Sequence, residues 1–341
     1  PGRQIAADFG TNSVIQNNIF DTADGVIKYN WNDGETILSE AGNAHDREDS
    51  GSVTAAQALS VTDSSRGSNA WHYDSTKPHV LVIVNGMGGG EWRNIVKMTG
   101  NTFYLDKPLD IYPAAGDRFI IAQPSYLNVI IRNNMMSGNP FGVAMYDGTF
   151  LNVSVTGNKL TDNGGIYLSP DQEKSGMAGP GQTGTKFSIY RNIEINNNIV
   201  TDKSGYYPAY IQIFFRLVNQ TTLFGRSVEA VEVRNNQVTA RSGTKLDLFP
   251  FASGYGAWLA YQYAGAPYVE TKVKLILGAV FQGDSCVNCP VNYKLTGGDS
   301  ATVIWNATSP NTNGFQSTFM TDMPIWSSTK VTSTATIVGK D

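Results

Sequence analysis

The chain has 341 residues, a formal charge of −4 and only 16% charged residues. That balance offers no broad attraction for nucleic acid or for an anionic membrane surface, and no apolar run approaches the roughly 20 residues that span a bilayer. Its 35 glycines, with abundant Asn, Thr and Val, point to short strands joined by tight turns, an all-β class.

The start, Pro1-Gly2-Arg3-Gln4, lacks the basic-then-apolar layout of a secretion signal, so any such signal is expected to be removed or to lie elsewhere. Ser13-Val14-Ile15-Gln16-Asn17-Asn18 introduces a short pattern: a strand of alternating character, a variable residue, Asn or Gly, then Asn. Gly25 to Tyr29 reads as the strand that follows it, and the loop leaving that strand carries Trp31, Asp33 and Glu35. His45-Asp46-Arg47-Glu48-Asp49, with its alternating signs, suits a solvated loop in which His45 is a minor acid/base candidate.

The next 74 residues, 50–123, lack the pattern, and Asn134 stands 116 positions after Asn18, far more than one repeat. Ser52 to Val61 reads as a hairpin, followed by short strands at Val80–Val84, Asn94–Met98, Phe103–Leu105 and Arg118–Ile121. This predicts an inserted small β-barrel-like module. The glycine-rich stretch Asn85 to Arg93 joins two of these strands rather than opening a helix, so it reads as a turn and not a phosphate cradle.

Beyond the insertion the pattern returns as Val129-Ile130-Ile131-Arg132-Asn133-Asn134 and Val153-Ser154-Val155-Thr156-Gly157-Asn158. Further copies are Ile193-Glu194-Ile195-Asn196-Asn197-Asn198 and Val231-Glu232-Val233-Arg234-Asn235-Asn236, with a decayed one at Val303-Ile304-Trp305-Asn306. The period-two alternation marks a half-buried strand. The closing Asn suits a sharp bend, because Asn tolerates left-handed backbone geometry and equivalent amides can stack as a ladder. A second strand follows each copy, at Gly142–Tyr146, Gly165–Leu168, Tyr210–Ile213, Trp258–Tyr261 and Val291–Leu295.

Two strand registers repeating together predict a right-handed parallel β-helix, a solenoid. The expected division is residues 1–49 as the first coil and its loop, 50–123 as the insert, 124–310 as the main helix and 311–341 as a C-terminal strand or cap. On these motifs the chain resembles the pectate-lyase-like superfamily of right-handed parallel β-helix proteins, over residues 11–35 and about 125–310. That superfamily includes polysaccharide lyases, glycoside hydrolases and phage tailspikes, so the resemblance implies a fold more strongly than an activity.

If the insert loops out, residues 25–31 stack under residues 142–147, followed by 165–168. Asp33, Glu35, Asp147, Asp171 and Glu173 then line one edge. Gathered carboxylates can divide into an acid and a base or nucleophile, or bind Ca²⁺, the cofactor such a cluster allows. Asp33, Glu35, Asp147 and Asp171, with Tyr146 and Tyr167, are the catalytic candidates. In lyases of the resembled superfamily Ca²⁺ or a basic side chain neutralises a uronate while Arg, Lys or Tyr removes the neighbouring proton, which implies roles for Tyr146, Tyr167, Lys174 and Arg216. Trp31, Glu173, Lys174, Tyr210, Arg216 and Trp258 are the substrate-binding candidates, since sugar C–H faces pack on aromatic rings and hydroxyls bond polar side chains.

Cys286 and Cys289 supply only half of a four-ligand zinc set and read as packing cysteines or a local disulfide. Three matches to the glycosylation acceptor pattern, at Asn152, Asn219 and Asn306, arise easily in an Asn- and Thr-rich chain. The expectation is an extracellular or cell-surface protein acting on a polysaccharide as lyase or hydrolase, without a nucleic-acid partner or membrane span. The competing expectation is a non-catalytic adhesin, tailspike or filament subunit, associating through its solenoid ends or as a trimer.

Overall fold

The structure, a computed structural model, describes residues 4–7, 9–22, 35–40, 49–67, 71–139, 141–146, 148–174, 185–203, 211–213, 216–218, 228–240, 250–252, 276–277, 279–287, 293–296, 301–305, 315–318 and 325–327. Every regular element among them is a strand. Among the described residues four sheets are parallel throughout; one of them orders Pro250–Ala252, Tyr293–Thr296 and Phe315–Thr318, and the chain visits the other three in a fixed order. From Tyr126–Arg132 it turns into Met135–Ser137, then Phe141–Tyr146, and re-enters the sheet it left as Phe150–Thr156 beside Tyr126–Arg132.

The first sheet orders Ile5–Ala6, Glu35–Glu40, Phe141–Tyr146, Ile166–Ser169 and Ile211–Ile213. In the second, Gly10–Thr11 and Val14–Gln16 both flank Tyr126–Arg132, which is followed by Phe150–Thr156, Tyr190–Asn196, Val228–Arg234, Ala279–Gln282, Ala301–Trp305 and Ile325–Ser327. The third stacks Ile19–Asp21, Met135–Ser137, Lys159–Thr161, Ile199–Lys203, Gln237–Ala240 and Ser285–Val287. Cys286 is in register with Val238, whereas Cys289 lies outside the described residues.

Alternation explains the core. Val129 and Ile131, Val153 and Val155, Ile193 and Ile195, and Val231 and Val233 are buried while the residues between them are wholly or partly exposed. Tyr126, Phe150 and Tyr190 stack inside, with centroids 5.5 and 4.7 Å apart, and Tyr190 donates its hydroxyl to Met145 O at 2.8 Å. The second sheet turns into the third through a left-handed residue: Asn17, Asn133, Asn197 and Asn235, or glycine at Gly157 and Gly283.

The asparagine after each of those residues forms the ladder. Asn134 donates both its backbone N–H and its Nδ2 to Asn158 Oδ1, each at 3.0 Å. Asn18 treats Asn134 in the same way, Asn158 treats Asn198, and Asn198 treats Asn236. The sixth rung is a carboxylate, Asp284, which accepts the same pair from Asn236 at 2.8 and 2.7 Å.

Residues 49–122 form a separate antiparallel sheet. Its order is Asp49–Ser52, Arg118–Ala122, Val80–Ile83, Trp92–Thr99, Thr102–Leu105, Ser60–Thr62, Ala55–Gln57. The two outermost strands follow each other in the chain, so the sheet curls around a core containing Val53, Val61, Leu81, Ile83, Phe103, Phe119 and Ile121. The opposite face of two of its strands, Val80, Val82, Val84, Ile120 and Ala122, packs on Leu127, Leu151 and Ile189. Burial of Val80–Ile83 on both faces therefore seats this unit on the stack.

An ion pair is buried beside this seam. Arg191 Nε lies 3.1 Å from Glu229 Oε2, with side-chain exposures of 2% and 8%. The glycine-rich loop crosses over it: Gly90, at φ +99, approaches so closely that a Cβ there would fall 1.7 Å from Glu229 Oε2. The loop connects the antiparallel strands Val80–Ile83 and Trp92–Thr99.

Candidate functional site

The strand stacked under Phe141–Tyr146 is Glu35–Glu40, not residues 25–29, which lie outside the described residues. The run Thr36-Ile37-Leu38-Ser39 is fully buried and pairs as Ile37 with Val143 and Leu38 with Ala144. This corrects the expected position of Glu35. It opens a strand in register with Phe141 and is 2% exposed, rather than leaving the strand on an outer loop. Five residues separate that register position from Tyr146, about 17 Å along a strand.

At the other end of these strands the tyrosines do meet. Tyr167 is in register with Ala144, and Tyr146 with Ser169, so the two rings sit diagonally on adjacent strands. Their centroids are 5.2 Å apart with planes at 77°, an edge-to-face contact, and both residues are half-buried. The carboxylate in register with Tyr146 is Glu40, also half-buried. Sequence reasoning missed Glu40 because it took 25–29 as the stacked strand. The β-branched and apolar run ending just before it was the available signal.

Past Tyr167 the chain does not form the expected loop. Asp171–Lys174 is a strand, parallel to Arg216–Val218 and antiparallel to Thr185–Phe187. Asp171 is the register partner of Arg216, Glu173 of Val218 and of Lys186, and Lys174 of Thr185. Asp171 and Arg216 are thus neighbours across one strand spacing, about 4.8 Å, instead of belonging to successive loops. Asp33, Asp147, Trp31, Tyr210 and Trp258 lie outside the described residues.

The half-buried tyrosine pair has the chemistry of a sugar platform: ring faces for C–H packing and hydroxyls for hydrogen bonds. Among the described residues no three His, Cys, Asp or Glu side chains gather as metal ligands, and no helix is long and apolar enough to cross a membrane.

Parallel sheets and a strand edge carrying Tyr146, Tyr167 and Glu40 define an all-β chain with a candidate polar and aromatic patch. No family model matches the chain, and no curated protein matches it. Among solved structures it is similar to the crystal structure of the tailspike protein gp49 from Pseudomonas phage LKA1, over 95% of this chain and 67% of that one, at 9% identity and a TM-score of 0.23. A likeness of that size fixes neither fold nor activity.

Proposed function

We propose that the chain is an extracellular right-handed parallel β-helix, carrying residues 50–123 as an inserted barrel-like module, that binds a polysaccharide along the edge of its first sheet. Right-handedness follows from the general rule for parallel strands joined by crossovers. The observation that carries the functional reading is the edge-to-face pair Tyr146 and Tyr167, half-buried at the strand ends beside Glu40. Asp171 and Arg216 are register partners on the strands that follow in the chain.

Cleavage as a lyase or hydrolase would draw on Glu40, Asp171 and the tyrosine hydroxyls. The buried position of Glu35, about 17 Å along the strand from Tyr146, favours a second reading, a receptor-binding or structural β-helix without cleavage. Two-carboxylate glycosidases hold their acids about 5–10 Å apart, and Glu35 cannot serve as one of that pair with a residue at the Tyr146 end.

A glycan array with a depolymerisation screen tests both. Absorbance from an unsaturated product reports a lyase, and new reducing ends report a hydrolase. Tyr146→Ala with Tyr167→Ala is expected to weaken glycan binding about tenfold or more. Binding unaffected by that double substitution removes the edge from the reading, and binding without product leaves the non-catalytic form.

A further inference from the structure

The loop that crosses Glu229 begins with an Asn-Gly pair, Asn85-Gly86. In such a pair the glycine nitrogen can reach the side-chain carbonyl carbon of the asparagine and close a five-membered ring, because glycine has no Cβ to hinder the approach. The reaction needs a free nitrogen, a polarised carbonyl and a base nearby.

All three surround Asn85. Gly86 is exposed, and among the described residues its N–H makes no hydrogen bond; its carbonyl accepts Gly89 N at 3.2 Å. Asn85 Oδ1 accepts the Arg118 N–H at 2.5 Å, which favours negative charge on the oxygen when the carbon is attacked. Asn85 Nδ2, the leaving group, has no hydrogen bond among the described residues to break. The Asp117 carboxylate lies against Gly86. A Cβ there would fall 2.3 Å from either carboxylate oxygen, which sets both oxygens within about 5 Å of the Gly86 nitrogen. With φ at +73, the backbone itself calls for glycine at this place.

A second pair, Asn163-Gly164, has the opposite surroundings. Asn163 is 2% exposed, its Nδ2 donates to Thr36 Oγ1 at 3.2 Å, and its Oδ1 accepts no hydrogen bond among the described residues. Gly164 N donates to Asn139 O at 3.0 Å. There the nitrogen is occupied and the carbonyl unpolarised.

We propose that Asn85 is a self-modification site whose product loosens the glycine loop from the Arg191–Glu229 seam. Asp117 takes the Gly86 N–H proton, the nitrogen bonds to Asn85 Cγ, and the Cγ–Nδ2 bond breaks as ammonia leaves with that proton. Water then opens the succinimide at either carbonyl and leaves aspartate or isoaspartate at position 85. Either product sets a second carboxylate near Asp117, where like charges repel, and isoaspartate also adds a methylene to the backbone. Four residues on, Gly90 approaches Glu229 too closely for a Cβ, so a displaced loop loses that contact.

Peptide mapping by mass spectrometry, on protein aged in mildly alkaline water enriched in heavy oxygen, tests the chemistry. In the folded protein residue 85 is expected to take up label at least about tenfold faster than residue 163, and the two rates should converge in urea. Asp117→Asn, which keeps an acceptor for Ala114 N, should slow residue 85 about tenfold. Equal rates at the two sites in the folded protein, a difference that persists in urea, or an undiminished rate in Asp117→Asn overturns the site. If Asp117→Asn fails to fold, the wild-type comparison of the two sites decides.

Limited proteolysis tests the consequence. Aged wild type and fresh Asn85→Asp should release residues 49–122 faster than fresh wild type, whereas Asn85→Ser should digest at the same rate before and after ageing. Digestion of aged wild type at the fresh rate overturns the loosening. Equal acceleration in aged Asn85→Ser overturns it as well, by assigning the change to another residue.

Discussion

Replacing Asn158 by Ala tests the buried ladder at a fully buried residue. The side chain accepts Asn134 N and Asn134 Nδ2, both at 3.0 Å, and donates to Ile131 O at 2.9 Å and to Asn198 Oδ1 at 3.0 Å. After truncation Asn134 Nδ2 retains Ile15 O and Asn198 Oδ1 retains Asn158 N, so Asn134 N and Ile131 O lose most. Each of the two buried groups left unsatisfied costs about 1–3 kcal/mol and each of the two that keep another partner about 0.5–1 kcal/mol, about 3–8 kcal/mol in all. That is a large share of the 5–15 kcal/mol typical of a folded domain. Urea unfolding should show a fall in midpoint with the slope preserved. Asn152→Gly is the control: it keeps the left-handed backbone and deletes only exposed amide bonds, at a cost of about 1 kcal/mol or less. A loss below about 1 kcal/mol for Asn158→Ala, or one equal to the control, would refute the assignment of cohesion between successive parallel strands to this ladder.

Three further outcomes follow from the seam and the antiparallel sheet of residues 49–122. Arg191→Met removes the ion-pair partner of the buried Glu229 carboxylate and should cost about 3–5 kcal/mol in urea unfolding; adding Glu229→Gln should recover much of it, and no recovery would speak against the pair. Gly90→Ala drives a Cβ into that carboxylate from a left-handed backbone, so limited proteolysis should release the 49–122 unit faster than in wild type. Unchanged digestion would mean that the loop does not clamp the seam. Asp74 is held below the usual carboxylate range first by the Thr76 hydroxyl, at 2.6 Å, then by the Thr76 backbone N–H. Its contribution is therefore present above the unfolded-state value and fades as pH falls through the lowered one. Thr76→Val should move the Asp74 titration upward by NMR, and a stationary curve would assign the lowering to another group.

The buried ladder was legible because each rung uses a local signal, a left-handed residue followed by Asn, repeated at Asn18, Asn134, Asn158, Asn198 and Asn236. Its sixth rung escaped because Asp284 keeps the acceptor oxygen but not the Asn identity on which the pattern rests. A second, exposed row of bonded amides, Asn12, Asn128, Asn152 and Asn192, was missed for a different reason. Asn128, Asn152 and Asn192 interrupt the strand alternation with a left-handed residue, and Asn152 drew notice only as a glycosylation acceptor, although the six-residue offset from each buried rung was there to be read. At the candidate site Tyr146 and Tyr167 were foreseen and meet, whereas Glu40 was not foreseen and Glu35 lies elsewhere.

Local chemistry, then, is what the amino-acid order determined by itself: period-two strands, Asn-closed turns, the short strands within residues 50–123 and the turn character of the glycine loop. These depend on alternation and on backbone preferences that each residue carries with it. Only the tertiary structure decided which strand lies under Phe141–Tyr146, because Glu35–Glu40 and residues 25–29 have similar strand character and only register chooses between them. It also decided that the antiparallel sheet of residues 49–122 packs on residues of the parallel sheets, since burial of both faces of Val80–Ile83 and the pairing of Arg191 with Glu229 depend on surfaces far apart in sequence.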